Sequence, residues 1–368
     1  MINKELFLTT LSHCVFVEGA SRGLICDLQK QVFDIIPKDL ATLVLHCNGR
    51  RVDWIYKHYG MQNQGILNDY FEFLSTNHYV FFTVHAHETS RFPQLNVTDK
   101  RCDIIDNAII DIDANSSFNI LEVIEELLSV NCKFLQVRYF NAMAMEELLA
   151  VLERVNDTEL VNVEFVLPYD EQFLKNDIEK IFLLHQRLGK LLVYNSPSTK
   201  SVSYHEGVFK ICFIADNISS HLHCGVVHPS WFLSSTSMYV ASKTSNSCLY
   251  KKISIDCRGN IKNCPSMQES FGNIQNTSIK EALQKEGLKK YWHTTKDQVL
   301  VCANCEFRYV CTDCRAYLQN PADPLSKPLK CGYDPGTATW ENWSANPLSK
   351  KGIEYYGLQS LAKSGVAS

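Results

Sequence analysis

Four cysteines in thirteen residues, Cys302-Ala-Asn-Cys305-Glu-Phe-Arg-Tyr-Val-Cys311-Thr-Asp-Cys314, are the first residues of this chain whose type and spacing could do chemistry. In a C-x-x-C pair a tight turn brings both sulfurs to one side, where they can share a metal. The two pairs stand five residues apart. Zinc ribbons usually separate theirs by about 12–20 residues, and closely spaced cysteines recur in iron–sulfur ligation. Further thiols flank the run: Cys248, ten residues, Gly259, four residues and Cys264, then Cys331 after sixteen residues. Cys224 lies upstream in His221-Leu-His-Cys224-Gly225, and Cys257 lies inside the hairpin stretch. His221, His223 and His228 read as surface or hydrogen-bonding residues before ligands.

The rest of the composition is ordinary. The 368 residues, 45% of them hydrophobic, can bury a substantial core in two or three domains. A net charge of −4 with mixed signs gives no case for nucleic acid or a membrane surface. No run of 18 apolar residues occurs, and the start of the chain does not read as a secretory signal, so a cytoplasmic location is expected. Fifteen cysteines, an odd number without such a signal, argue against a disulfide framework. Cys14, Cys26, Cys47, Cys102, Cys132 and Cys212 are scattered singly among apolar residues and read as small buried hydrophobes.

Elements that could position the thiols follow from periodicity and punctuation. Residues 1–87 read as a small winged-helix-like unit: an apolar run at 6–17, strands at 23–27 and 31–36, and helices at 38–47, 52–59 and 64–74. A returning strand at 79–83 closes it. Helix 64–74 carries no Lys or Arg, which speaks against DNA. Residues 100–220 alternate strands (108–112, 134–138, 163–166, 191–194, 209–214) with helices (119–130, 143–155, 170–188). That pattern predicts an α/β domain, a partial (β/α) barrel of four or five parallel strands. Residues 221–335 form the Cys-rich part, with a hairpin bending at Arg258-Gly259-Asn260 and a helix at 278–286, and 336–368 form a tail.

The seven cysteines from Cys248 to Cys331 resemble the SPASM domain, the module that carries auxiliary [4Fe–4S] clusters in peptide-modifying radical SAM enzymes. Cys248 and Cys264 match its hairpin, Cys302, Cys305 and Cys311 its central run, and Cys331 its last cysteine; Cys314 comes one residue early. The resemblance implies two [4Fe–4S] clusters, with zinc as the alternative. One would be held by Cys302, Cys305, Cys311 and Cys331. The other would be held by Cys248, Cys264, Cys314 and a fourth ligand, Cys224 or, as runner-up, Cys257.

A radical SAM enzyme needs C-x3-C-x2-C after the first barrel strand, and here that loop is Asp113-Ala-Asn-Ser-Ser-Phe-Asn119, without cysteine. The expected cofactor list therefore excludes SAM. The element order of residues 1–87 is similar to the PqqD-like leader-recognition element, whose groove would be lined here from Val32–Ile36 and Ile66–Phe73. Together these parts look like the SPASM protein of the grasp-with-spasm systems, which implies a precursor peptide and an ATP-grasp ligase as partners in ribosomal peptide (RiPP) maturation. Two other readings stand beside it: an auxiliary-cluster enzyme doing redox or Lewis-acid chemistry, and a zinc-ribbon interaction protein. Asp111 and Asp113 could bind a metal or cap a helix. Arg308 and Arg315 could donate towards sulfur or pair at the surface, and Trp340 and Trp343 are expected to pack a terminal lid.

Overall fold

The computed structural model describes residues 2–98, 104–171, 178–204 and 209–363. Its largest element is a mixed α/β sheet of eight strands: β6 (Asn107–Ile112), β7 (Phe134–Tyr139), β8 (Asn162–Pro168), β9 (Leu188–Tyr194), β10 (Lys200–Tyr204), β11 (Phe209–Phe213), β12 (Lys252–Ile255) and β13 (Ile261–Lys262). The order is β10-β11-β9-β8-β7-β6-β12-β13. All neighbours are parallel except the two outermost pairs, β10 with β11 and β12 with β13.

The sheet is larger than the four or five strands that sequence periodicity supplied. Its core strands are short apolar runs, which alternation detects well. β10 is Lys-Ser-Val-Ser-Tyr, with too little apolar content to stand out. The hairpin of the Cys-rich part is not a free element: β12 lies beside β6 in parallel, so the sheet continues into residues 221–335. Gly259 turns this hairpin with φ +79°, and Asp256 Oδ1 accepts the Arg258 and Asn260 backbone N–H groups.

Helices α4 (Ile120–Ser129) and α5 (Met145–Asn156) cross between the strands and bury Val123, Ile124 and Leu127, and Leu148, Val151, Leu152 and Val155, against the sheet. Asn119 caps α4 by accepting from the Leu121 N–H. The expected helix at 170–188 lies partly outside the described residues; α6 (Ile178–Leu184) ends before β9 begins at Leu188. The helix expected at 278–286 is the short Ile279–Leu283, closed by a Ser278–Glu281 capping box.

The amino-terminal unit holds β2 (Cys14–Glu18), β3 (Arg22–Asp27) and β4 (Val32–Pro37) in one antiparallel sheet, and β1 (Phe7–Thr10) pairs with β5 (Val80–Thr83) in another. The apolar run at 6–17 is thus two strands, broken at Leu11–His13. Helices α1 (Lys38–Cys47), α2 (Val52–Tyr59) and α3 (Gln64–Thr76) lie between β4 and β5 and share a core with Leu8, Ile25 and Ile36. The other face of the small sheet packs on the Cys-rich part. Val17, Leu24, Cys26 and Leu28 share a cluster with Phe307, Val310 and Tyr333, and Arg22 pairs with the buried Glu306 at 2.5 Å.

Cys14, Cys26, Cys47 and Cys132 are buried as expected, Cys212 is half-exposed, and Cys102 lies outside the described residues. Among the described residues no helix is long and apolar enough to cross a membrane.

At the carboxyl ends of β6 and β7, Arg138 donates two hydrogen bonds to Asp111, at 2.6 and 2.8 Å, with both side chains buried. Asp111 is therefore committed to a structural pair. Asp111→Ala strands the guanidinium and should cost about 3–5 kcal/mol in urea unfolding. Arg138→Leu in the same chain should recover most of that loss. A single-variant loss below about 1 kcal/mol would show that the pair is not desolvated.

Candidate metal centre

Eight cysteines converge on two cavities. Cys224, Cys248, Cys264 and Cys314 line one, of about 310 Å³. Cys302, Cys305, Cys311 and Cys331 line the other, a narrow one of about 20 Å³. Val227 contributes to both walls, and Cys311 and Cys314 are joined by only Thr312 and Asp313, so the quartets are neighbours. Cys257 stands elsewhere, in the cleft at the strand ends with Asp113 and Asp256.

Local structure explains how distant residues meet. A short 3₁₀ turn at His221–His223 brings Cys224 inward, and an isolated bridge from Val227 to Cys331 ties this segment to the end of the run. Gly225 follows with φ +84°, and a Cβ there would sit 3.0 Å from Cys314 Sγ and 3.2 Å from Tyr317. The residue after Cys224 is therefore glycine for backbone and space together. At the other cavity, 3₁₀ turns at Cys302–Asn304 and Glu306–Tyr309 present Cys302, Cys305 and Cys311 from one short segment.

Electrostatics single out three lysines that motif reading passed over. Lys296, buried, places Nζ 2.7 Å from Cys311 Sγ. Lys252 is partly exposed, with its ammonium 3.5 Å from Cys248 Sγ. Lys330, 1% exposed, donates to the carbonyls of Leu222 and Cys224, the latter at 2.8 Å. None of the three has a carboxylate ion pair among the described residues. Burial alone would push Lys252 down, yet the sulfurs of Cys248, Cys264 and Cys224 outweigh it and hold its pKa above the ordinary value.

As free thiols Cys264, Cys302, Cys305, Cys311 and Cys314 resist ionisation. Burial, reinforced by neighbouring sulfurs, pushes Cys264 up to about 12, and burial also takes Cys302 and Cys314 to about 12. Enclosed ammonium groups facing neutral thiols would be costly. Metal-bound thiolates supply the opposing charge, so the donor set and its lysines fit a group that takes the sulfurs as anions. The spacing carries further information. A zinc ion with Zn–S bonds of about 2.3 Å draws its sulfurs to roughly 3.8 Å apart. Among the described residues no three cysteine sulfurs lie within 4.8 Å of one another. The sulfurs of each quartet stand farther apart than they would around a single zinc ion.

Of the two readings of the flanking arginines, donation towards sulfur or pairing at the surface, neither side chain shows the first. Arg308 bonds the Glu18 and Cys305 carbonyls and Asp297, and Arg315 is buried against Asp313 and the Ser326 carbonyl. The lysines that take that place sit four residues after Cys248, six before Cys302 and directly before Cys331, a proximity visible in the sequence. His221 is held at Nδ1, 3.2 Å from the Tyr317 hydroxyl, and burial lowers its pKa to about 4. Trp343 is buried on Tyr317 and Leu329, and Trp340 packs at a tilt on Phe232, Phe307 and Tyr333 beside the second quartet.

A cleft of about 560 Å³ adjoins the first quartet. Asp113, Phe140 and Asp256, each just beyond a parallel strand, line it with Arg258, Lys262 and His221. The carboxyl ends of parallel strands are where α/β sheets bind ligands. Arg138 connects the two regions: it is paired to Asp111 and within electrostatic reach of Cys224 and Cys264. On the amino-terminal unit, β4 pairs with no strand on its outer edge among the described residues; Val32 and Ile35 are exposed on it, and Ile66 is exposed on α3.

Residues 247–306 match the SPASM family, described as an iron-sulfur cluster-binding domain. The match covers the hairpin and the first C-x-x-C pair. No curated protein matches the chain. Among solved structures, Streptococcus suis SuiB bound to S-adenosylmethionine aligns with 88% of this chain and 99% of its own, at 10% identity and a TM-score of 0.33. SuiB bound to the precursor peptide SuiA aligns with 87% and 98%, at 9% identity and a TM-score of 0.31. At such scores the functional reading rests on this chain's own residues.

Gly225→Ala forces a non-glycine residue into the left-handed region and a methyl against Cys314. It should cost about 1–2 kcal/mol from backbone strain alone, read in urea unfolding. Unchanged stability would mean that the turn after Cys224 is free to relax and does not fix the quartet.

Proposed function

We propose that this chain is a SPASM-domain protein of ribosomal peptide maturation, binding a precursor peptide and carrying two [4Fe–4S] clusters. The observation that carries the reading is the pair of four-cysteine cavities, each with an ammonium group at a sulfur. Cys224, Cys248, Cys264 and Cys314 would hold one cluster, and Cys302, Cys305, Cys311 and Cys331 the other. When bound, such clusters supply one-electron chemistry. With four cysteines at each site, no iron is left for a substrate, which disfavours a Lewis-acid role.

The chain's own residues define the peptide's path in this proposal. The outer edge of β4, unpaired among the described residues and flanked by exposed Val32, Ile35 and Ile66, supports addition of a leader strand. The polar cleft at the strand ends would receive the core peptide, with Asp113, Asp256, Arg258 and Lys262 offering both signs of charge. The loop after β6 lacks the cysteine triad, which supports a role without SAM cleavage. An ATP-grasp ligase would then perform the bond-forming step on the bound peptide. The 1–87, 100–220, 221–335 and 336–368 divisions serve as leader, sheet, cluster and tail regions in this scheme, in the cytoplasm.

Binding of the precursor encoded beside the gene tests the reading. Removing the leader should weaken binding at least tenfold, and Ile35→Asp should weaken the full precursor while leaving the leaderless peptide unchanged. Equal affinity for both peptides would defeat leader recognition.

A further inference from the structure

The cationic side chains are divided unevenly between the two quartets. Lys252 stands 3.5 Å from Cys248 Sγ, and Lys330 lies beneath Cys224, bonded to its carbonyl. Neither has a carboxylate partner among the described residues, so Lys252 at a ligand sulfur and Lys330 at the Cys224 carbonyl, although burial lowers the latter to about 8, set two ammonium groups beside the Cys224 quartet. Arg138 also reaches Cys224 and Cys264, but Asp111 neutralises it.

Around the second quartet the balance differs. Lys296 lies 2.7 Å from Cys311 Sγ, and two buried acids stand close by. Glu306 adjoins Cys305 and pairs with Arg22 at 2.5 Å; Asp313 lies two residues after Cys311 and pairs with Arg315 at 2.7 Å. These pairs cancel, leaving one uncompensated ammonium.

Adding an electron to a cluster adds one negative charge, and nearby fixed cations in a poorly screened interior favour it. Building on the cluster assignment above, we propose that Lys252 and Lys330 set the Cys224-quartet cluster at the higher reduction potential of the two. An electron delivered by a low-potential one-electron carrier, which is oxidised in the step, and shared between the neighbouring centres then resides on that cluster. It is the one that adjoins the strand-end cleft through Arg138 and through Tyr317, whose hydroxyl meets His221. Lys252 is thus a positioning residue for charge: it acts on the cluster through the field at a ligand sulfur.

The test is a potentiometric titration of the full chain, purified anaerobically, with dithionite as reductant and EPR as readout. The unmodified protein should show two one-electron steps. Lys252→Met should lower the higher step by at least tenfold in equilibrium constant, about 59 mV for one electron. The lower step should stay in place, and Lys252→Arg should restore the higher one. Lys296→Met should move the lower step alone.

Iron and sulfide are measured on every sample. A Lys252→Met protein with full iron and an unshifted higher step overturns the proposal and leaves the cluster assignment standing. So does a shift confined to the lower step. Unmodified protein without acid-labile sulfide overturns both.

Discussion

An ammonium group withdrawn from water needs an anion, and three lysines of this chain lie among the cysteines with no carboxylate ion pair among the described residues, two of them at a sulfur. Lys296 is held against Cys311, Lys252 against Cys248, and Lys330 below Cys224. Neutral thiols cannot balance them, and burial makes the Cys311 thiol hard to ionise unaided. Metal–thiolate bonding resolves both costs at once, by stabilising the sulfur anions that the lysines face. The docking of the amino-terminal sheet adds to the same enclosure. Its Val17, Leu24 and Leu28 close over Phe307 and Val310, and Arg22 neutralises Glu306 next to Cys305. Removing that sheet would open the second quartet to water.

The same geometry links the cysteine module to the large sheet. β12 and β13 sit between Cys248 and Cys264 in the chain and extend the parallel sheet beyond β6. The sheet's carboxyl end and the first quartet are therefore fixed relative to each other by strand pairing. Asp256, at the end of β12, faces the cleft that Asp113 and Phe140 also line. A peptide in that cleft and a cluster behind it would share one rigid support.

Much of this was legible in the sequence because cysteine spacing and short apolar strands are strong local signals. Five strands of the sheet and the helices α4 and α5 follow from periodicity. β10 escapes it, since Lys200, Ser201 and Ser203 dilute its apolar content. The place of β12 beside β6 could not be read, because pairing between residues about 145 apart leaves no local trace. Cys224 was legible only as one of two candidates; the turn at 221–223 and the close fit of Gly225 against Cys314 are tertiary facts. Nothing local marks the three lysines, because lysine reads as surface by default. The arginines flanking the run drew attention instead, and they bond to backbone and carboxylates.

The most direct measurement of the central claim is iron and acid-labile sulfide content, with Mössbauer spectra of iron-57 protein, for the unmodified chain and for Cys224→Ala and Cys257→Ala purified anaerobically. The account gives about eight irons and eight sulfides in the unmodified protein, from two four-iron clusters. Cys257→Ala should match it, and Cys224→Ala should lose iron from one cluster only. Two zinc ions without sulfide, or a loss on Cys257→Ala with Cys224→Ala unaffected, would contradict it.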